Sequence, residues 1–236
     1  MGKPGLGQIP AALVGLAFLS MAPLAIAGQW VVIAAEQTTL QPGAIVDGDQ
    51  PLKLAQGARL TLLADNGKTL KLSGPYTGAP GNGSAPGAPT DNLTAIASLL
   101  QGHQQSASTL GVMRGNDSRP PPTGDLISVD QSGERCLSSD PVVLWRSNAA
   151  IAEQVTLTDA QGTSLANFTW PANTAQWSAP GRYFEDGKTY LLQRPDKSVS
   201  LRVHKTTAKP DNPAALAAWM AKNGCKAQAL IVVGGL

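Results

Sequence analysis

The chain has 236 residues, 14% of them charged, and a formal net charge of +2, with no basic stripe interleaved with aromatic side chains. A nucleic-acid partner is therefore set aside, because neutralising phosphates needs a clustered basic face. The length allows one large or two small domains with cores of their own, and the 18 prolines and 25 glycines gather in linkers and turns rather than spreading evenly.

The first residues read as an export signal. Lys3 gives a weakly positive start, residues 9–24 are apolar with Pro10 and Pro23 near the ends, and Ala25-Ile26-Ala27 supplies a small-x-small cleavage pattern. Two readings stand. Cleavage after Ala27 would start the mature chain at Gly28; alternatively, because apolar character resumes over residues 30–35, the segment stays as an anchor. The cleavage pattern favours the first. The expectation is a periplasmic or secreted protein that touches the membrane only if this segment is retained, and with no cysteine near the cleavage point a lipid anchor is not expected.

Residues 30–35 are rich in β-branched side chains and predict a strand. Leu52 and Leu54 mark another short strand between bends at Gly48 and Gly57. Apolar residues then alternate at Leu60, Leu62 and Ala64, and again around Leu70 and Leu72, the period of half-buried strands. Asn66-Gly67 stands between the two runs, and the dipeptide predicts a hairpin closed by a two-residue type I′ turn with positive φ at both positions. Lys68 then lies at the rim, where its stem can snorkel.

A glycine bend, a short strand, Gly57-Ala58-Arg59-Leu60-Thr61-Leu62-Leu63 and then Asp65-Asn66-Gly67-Lys68-Thr69-Leu70-Lys71-Leu72-Ser73-Gly74-Pro75-Tyr76 together resemble the FecR-type periplasmic domain. The likeness covers residues 30–78. It implies a β-rich module of an envelope protein. FecR-type proteins carry a cytoplasmic sigma-factor-binding segment ahead of a membrane helix; here only eight residues precede the apolar run, so the extracytoplasmic β-module alone is expected to be shared.

Residues 77–90, T-G-A-P-G-N-G-S-A-P-G-A-P-T, predict a linker. Its Gly-Asn-Gly is followed by no Lys-Ser/Thr, which argues against a phosphate loop. A short helix follows, capped by Asp91 or Asn92, with Leu93, Ile96, Leu99 and Leu100 on one face. His103 at its polar end reads as a solvated residue. The helix is too short to fold alone and is expected to dock on the first module. Beyond an apolar patch at Leu110, Val112 and Met113, residues 116–124, with three consecutive prolines, predict a second linker.

From residue 125 the pattern becomes a series of short strands, at 126–129, 142–145, 155–158, 165–170, 189–193 and 199–204, separated by turn-rich segments. This spacing predicts a β-sandwich of immunoglobulin-like or fibronectin-like layout. Trp145, Trp170 and Tyr190 are expected in its core. Trp177 has two readings, core or a carbohydrate-stacking platform shared with Tyr183 and Phe184. Asn212 then caps a helix with Pro213 at its first position and Gly224 at its end, and residues 227–233 form a further helix or strand. The expected organisation is thus mainly β: a signal at 1–27, a FecR-like β-module at 28–78, linkers with a short helix at 79–124, and a β-sandwich with a C-terminal helix at 125–236.

The two cysteines, Cys136 and Cys225, have neither neighbouring metal ligands nor a Cys-x-x-Cys spacing. An even count in an exported chain predicts a disulfide between them, which in the chain-entropy model stabilises by about 4–5 kcal/mol. Nucleophile-elbow, Ser-x-x-Lys, His-Glu-x-x-His and calcium-loop patterns are lacking, and His103 and His204 are the two imidazoles. Acidic pairs such as Glu185-Asp186 and Asp47-Asp49 lie in predicted turns, where acids commonly serve the backbone. The expectation is a noncatalytic envelope protein, without cofactor or metal, whose β-modules engage another envelope protein; the rival reading is a carbohydrate- or cell-wall-binding module using Trp177, Tyr183 and Phe184.

Overall fold

The computed structural model describes residues 2, 28–81, 90–109, 119–206 and 210–236. The expected signal segment, the Gly-Asn-Gly turn in its greater part and the patch at Leu110, Val112 and Met113 lie outside the described residues. The fold is mainly β. In chain order the elements are β1 (Gln29–Glu36), β2 (Ile45–Asp47), β3 (Leu52–Leu54), β4 (Arg59–Leu63), β5 (Thr69–Ser73), β6 (Tyr76–Gly78) and α1 (Asp91–Thr109). They continue with β7 (Ile127–Ser128), β8 (Gly133–Leu137), β9 (Val142–Trp145), β10 (Glu153–Asp159), β11 (Ser164–Trp170), β12 (Gln176–Ala179), β13 (Thr189–Gln193), β14 (Ser198–Lys205), α2 (Pro213–Lys222) and α3 (Lys226–Gly234).

The N-terminal sheet has the order β2-β1-β4-β5. Its inner strand β1 is apolar on both faces: Trp30 and Val32 join Leu60 and Leu62 in the core of the β-module, while Val31 joins Leu63 beneath the helices. The expected hairpin forms from β4 and β5, with Leu60 opposite Leu72 and Leu62 opposite Leu70. Its turn differs from the expected type I′. Gly67 N–H donates to Ala64 O at 3.0 Å and Ala64 N–H to Lys68 O at 2.9 Å, so the loop is Asp65-Asn66-Gly67, and Gly67 (φ 83°) alone is left-handed. A three-residue loop needs positive φ only at its last position, which leaves Asn66 in an ordinary conformation. The strand at Leu52–Leu54 pairs with β6, so residues 77 and 78, expected at the start of the linker, belong to a strand.

Helix α1 is longer than the apolar stripe predicts. Thr90 caps it, its Oγ1 accepting from Leu93 N–H at 3.3 Å, in place of the expected Asp91 or Asn92. Leu93, Ile96, Ala97 and Leu100 pack over Val31 and Leu63, and Ala214, Ala217 and Ala218 of α2 and Val233 of α3 share that core. The helix therefore docks on the first module and on the C-terminal helices together, a correction to docking on the first module alone. The C-terminal helices follow the expected caps: Asn212 Oδ1 accepts from Ala215 N–H at 2.9 Å, and past Gly224 the Cys225 N–H returns to Met220 O at 2.9 Å. The uncertain segment after Cys225 is a helix.

The remaining strands form a five-stranded sheet, β11-β10-β13-β14-β8, facing a three-stranded one, β12-β9-β7. Val129, Val142, Leu144, Val155, Leu157, Trp170, Tyr190, Leu192 and Leu201 are among the residues filling the space between them. Two strands escape the sequence pattern. β8 is half polar and pairs parallel to β14, and β12 lies in a stretch rich in Pro, Ser and Asn.

Cys136 on β8 and Cys225 between α2 and α3 are bonded, with Cα atoms 5.9 Å apart, and are buried with Leu99, Met220 and Ala229. Beside them the Gln228 amide completes the outer edge of β8. Its Oε1 accepts from Cys136 N–H at 2.8 Å, and its Nε2 donates to Cys136 O at 3.0 Å and to Gly124 O at 2.9 Å. The end of the second expected linker is thereby fixed, with Gly124 buried.

Two outcomes follow from this packing. Gly67→Val should cost about 1 kcal/mol or more, because its φ is unfavourable to a β-branched residue and a Cβ there would stand 3.1 Å from Asn212 Cβ; an unchanged urea midpoint would contradict it. A protease site inserted within residues 110–118 and cut to completion should leave two fragments that co-elute under native conditions, since α1 shares its core with α2 and α3; separate elution would contradict that packing.

Candidate functional site

Phe184 is buried at 3% exposure with its ring edge-on to Tyr190 at 5.1 Å, so it belongs to the core and not to a binding surface. Trp177 is half-buried on β12, its indole stacked on Phe168 of β11 with centroids 3.6 Å apart and planes 4° from parallel. One face of that indole is thus already covered. Tyr183 is half-buried under the Arg182 guanidinium, 5.5 Å from the ring centroid. The three aromatic residues do not form a common open platform. Trp145, Trp170 and Tyr190 are buried, as expected.

Sequence reasoning missed a cluster of buried charges. Arg146 follows β9 directly, Glu153 opens β10, Arg194 follows β13 and Asp130 lies between β7 and β8. Arg194 forks onto Glu153, Nε to Oε2 at 2.7 Å and Nη2 to Oε1 at 2.9 Å, and its Nη1 stands 3.4 Å from Asp130 Oδ1. Arg146 Nη1 stands 3.3 Å from Glu153 Oε1 from the other side. The Arg146 side chain is fully buried, its guanidinium 5.0 Å from the centre of the Trp170 ring. Two guanidinium groups and two carboxylates make the set neutral, which is what allows it to be buried. Loss of solvent lowers the Arg146 pKa from its ordinary value, with Glu153 opposing. At Arg194 burial acts in the same direction, but the hydrogen bonds and charge of Glu153, with Asp196 and Asp130, outweigh it and raise the pKa. Both remain cations at neutral pH.

The cluster ties the loops at this end of the sandwich together. Arg146 Nε and Nη2 donate to Thr174 O at 3.2 Å and Pro171 O at 2.7 Å. Ser147 N–H donates to Asp130 Oδ2 at 2.8 Å, and Lys197 Nζ to Asp130 O at 3.1 Å. Above it opens a cleft of about 540 Å³, bordered by Asp130, Asn148, Ile151, Glu153, Arg194 and Lys197, with Ile151 at 63% exposure on its rim. Both carboxylates are held by guanidinium groups, and the cluster orients the loops to which it is bonded. A second cleft of about 650 Å³ lies between β8 and α3, with Glu134, Arg135, Lys226 and the exposed His103 on its walls. Glu134 Oε2 also meets His204 Nε2 at 2.7 Å. Among the described residues, no group of three His, Cys, Asp or Glu residues is placed to hold a metal ion, and no helix is long and apolar enough to cross a membrane.

The signal that could have pointed to the cluster is a charge abutting an apolar run, as in Val142-Val143-Leu144-Trp145-Arg146. Arg194, however, lies 41 and 64 positions from its partners Glu153 and Asp130, beyond any local pattern.

No protein-family model matches the chain, and no curated protein matches it. Among solved structures, one described as "Biofilm associated protein - BSP domain" is similar over 76% of this chain at 14% identity, with a TM-score of 0.23. The chain spans 25% of that structure's length. At this TM-score the likeness does not establish a shared fold.

Glu153→Ala, which leaves two buried guanidinium groups without their shared counter-ion, should destabilise by about 3–5 kcal/mol. Glu153→Ala with Arg194→Ala should cost less than the sum of the two single changes. Additive urea-unfolding free energies would contradict a coupled network.

Proposed function

We propose that the chain is a noncatalytic, exported envelope protein that engages another protein through the loop end of its sandwich. The observation that carries the reading is the buried Asp130–Arg146–Glu153–Arg194 cluster, which holds the loops around Ile151 in one geometry before any partner arrives. Preorganised loops lose less conformational entropy on binding. An apolar side chain standing above a charged cleft offers a partner both an anchor and a register. Export is supported by the Ala25-Ile26-Ala27 pattern and by the disulfide, which persists in oxidising compartments. The FecR-like pattern of residues 57–76 supports an extracytoplasmic module in the first part of the chain. The half-exposed Trp177 keeps cell-wall carbohydrate as the second reading, weakened by the burial of Phe184 and the Phe168 stack.

The test is a photo-crosslinking side chain at Ile151 in cells that make the protein, with Lys53 on the first module as the control position. A discrete protein adduct from Ile151 and none from Lys53, on a chain whose N-terminus is Gly28, is the expected result. Adducts of equal yield at both positions, or a protein retained in the cytoplasm, would overturn the reading. Co-sedimentation with cell-wall polysaccharide that is lost in Trp177→Ala would favour the carbohydrate reading instead.

A further inference from the structure

The disulfide joins two bodies whose cores are separate. The sandwich fills its interior with its own side chains, from Ile127 to Val203, and among the described residues no side chain of α1, α2 or α3 belongs to that core. The core beneath the helices likewise holds no residue of the sandwich. The apolar cluster that bridges the two gathers Leu99, Met220, Cys225 and Ala229 from the helical side, and the sandwich contributes Cys136 to it. On the same strand Glu134 lies against Gly224, where a Cβ would stand 3.1 Å from Glu134 Cγ. Beside this patch the surfaces part, because the cleft of about 650 Å³ between β8 and α3 has Asp130, Gln131 and Ser132 on one wall and Ala227 and Ile231 on the other.

The chain crosses between the bodies twice, and the crossings lie side by side. Thr123 and Gly124 of the entering segment border one cleft with Pro210 and Asp211 of the leaving one. The entering segment is fastened to the helical side, Gly124 O accepting from Gln228 Nε2, and the same amide meets Cys136 N–H and O. These hydrogen bonds converge on one side chain. An inserted unit with its own core, neighbouring crossings and a small contact moves relative to its host unless something fastens it. We propose that the Cys136–Cys225 bond is a redox latch: intact, it keeps the sandwich docked on the helical layer, and once a dithiol reductant opens it, the sandwich leaves that contact as a folded body and moves on its two crossings. In this step the dithiol is oxidised to a disulfide, the Cys136–Cys225 bond breaks, and the two electrons and two protons given up by the dithiol leave Cys136 and Cys225 as thiols. Both cysteines are buried, at 0% and 2% exposure, so exchange follows a transient opening of the contact. This inference rests on neither export nor the loop-end partner.

The experiment compares amide residual dipolar couplings of the protein before and after treatment with a dithiol reductant, and of Cys136→Ala/Cys225→Ala untreated. With the bond intact, one alignment tensor should fit the sandwich strands and the helical layer together. After reduction and in the variant, residues 127–205 should still fit their own strands, with a tensor smaller than that of residues 28–81 and 90–109. One common tensor in the reduced protein or in the folded variant overturns the proposal, since the contact then holds without the bond. Separate tensors in the bonded protein, or a bond that the dithiol leaves intact, overturn it as well. A sandwich that loses its own fit in both samples makes the bond a staple of the fold and not a latch. If one sample alone unfolds, the other decides by the same comparison.

Discussion

β1 has to be buried on both faces, and much of the molecule is arranged to do it. Trp30 and Val32 are covered within the β-module, but Val31 points the other way and would face water if the first 81 residues stood alone. Fully burying a Val or Leu side chain is worth about 1.5–3 kcal/mol. The cover for Val31 and Leu63 comes from α1 and then from α2 and α3, which lie at the far end of the chain. The sandwich from β7 to β14 is therefore an insertion in the covalent order between α1 and the other two helices. A strand that reads as a near-continuous apolar run, Trp30-Val31-Val32-Ile33, is one that expects two neighbours.

Two kinds of buried polar contact hold the sandwich to its surroundings, and they act differently. The Gln228 amide replaces a missing strand: each of its polar atoms is bonded to the backbone, so the β8 edge is completed with neutral groups. The Asp130–Arg146–Glu153–Arg194 cluster buries charge, whose desolvation offsets much of the Coulomb attraction. It adds little net stability over an apolar equivalent, yet removing one member leaves a bare ion in the interior. Trp170 reinforces this asymmetry, because its Nε1 is buried without a hydrogen-bond partner while its ring lies beside Arg146. Such a cluster fixes loop geometry more than it stabilises the fold.

The elements legible in the sequence were those governed by neighbours in the chain. The β4–β5 hairpin, β13, the Asn212 cap and the Gly224 stop follow from periods and dipeptides, and the pairing of the two cysteines from their number. The turn at Asn66-Gly67 was located but mistyped, because a dipeptide does not reveal whether the loop holds two residues or three. What was illegible depends on distant partners: the parallel β8–β14 pair, the longer α1 supported by α2, and the Arg194 ion pairs with Glu153 and Asp130 at the loop end. Phe184 and Trp177 show the same limit at the candidate site. An aromatic residue in a turn-rich stretch looks exposed until Tyr190 or Phe168 is found against it.

The order of the large sheet gives its two edges opposite fates. β8, at one edge, is joined to the helical layer by the Cys136–Cys225 bond and by Gln228, so that edge is committed to holding the two parts of the molecule together. A disulfide and a side-chain amide that both engage Cys136 exclude the sliding that a parallel edge strand would otherwise permit. β11, at the other edge, carries no such attachment among the described residues, and its Phe168 ring is stacked on Trp177 across the seam between the two sheets. The sandwich is therefore anchored on one side through β8 and closed by aromatic stacking on the other, so its two edges serve the fold in different ways.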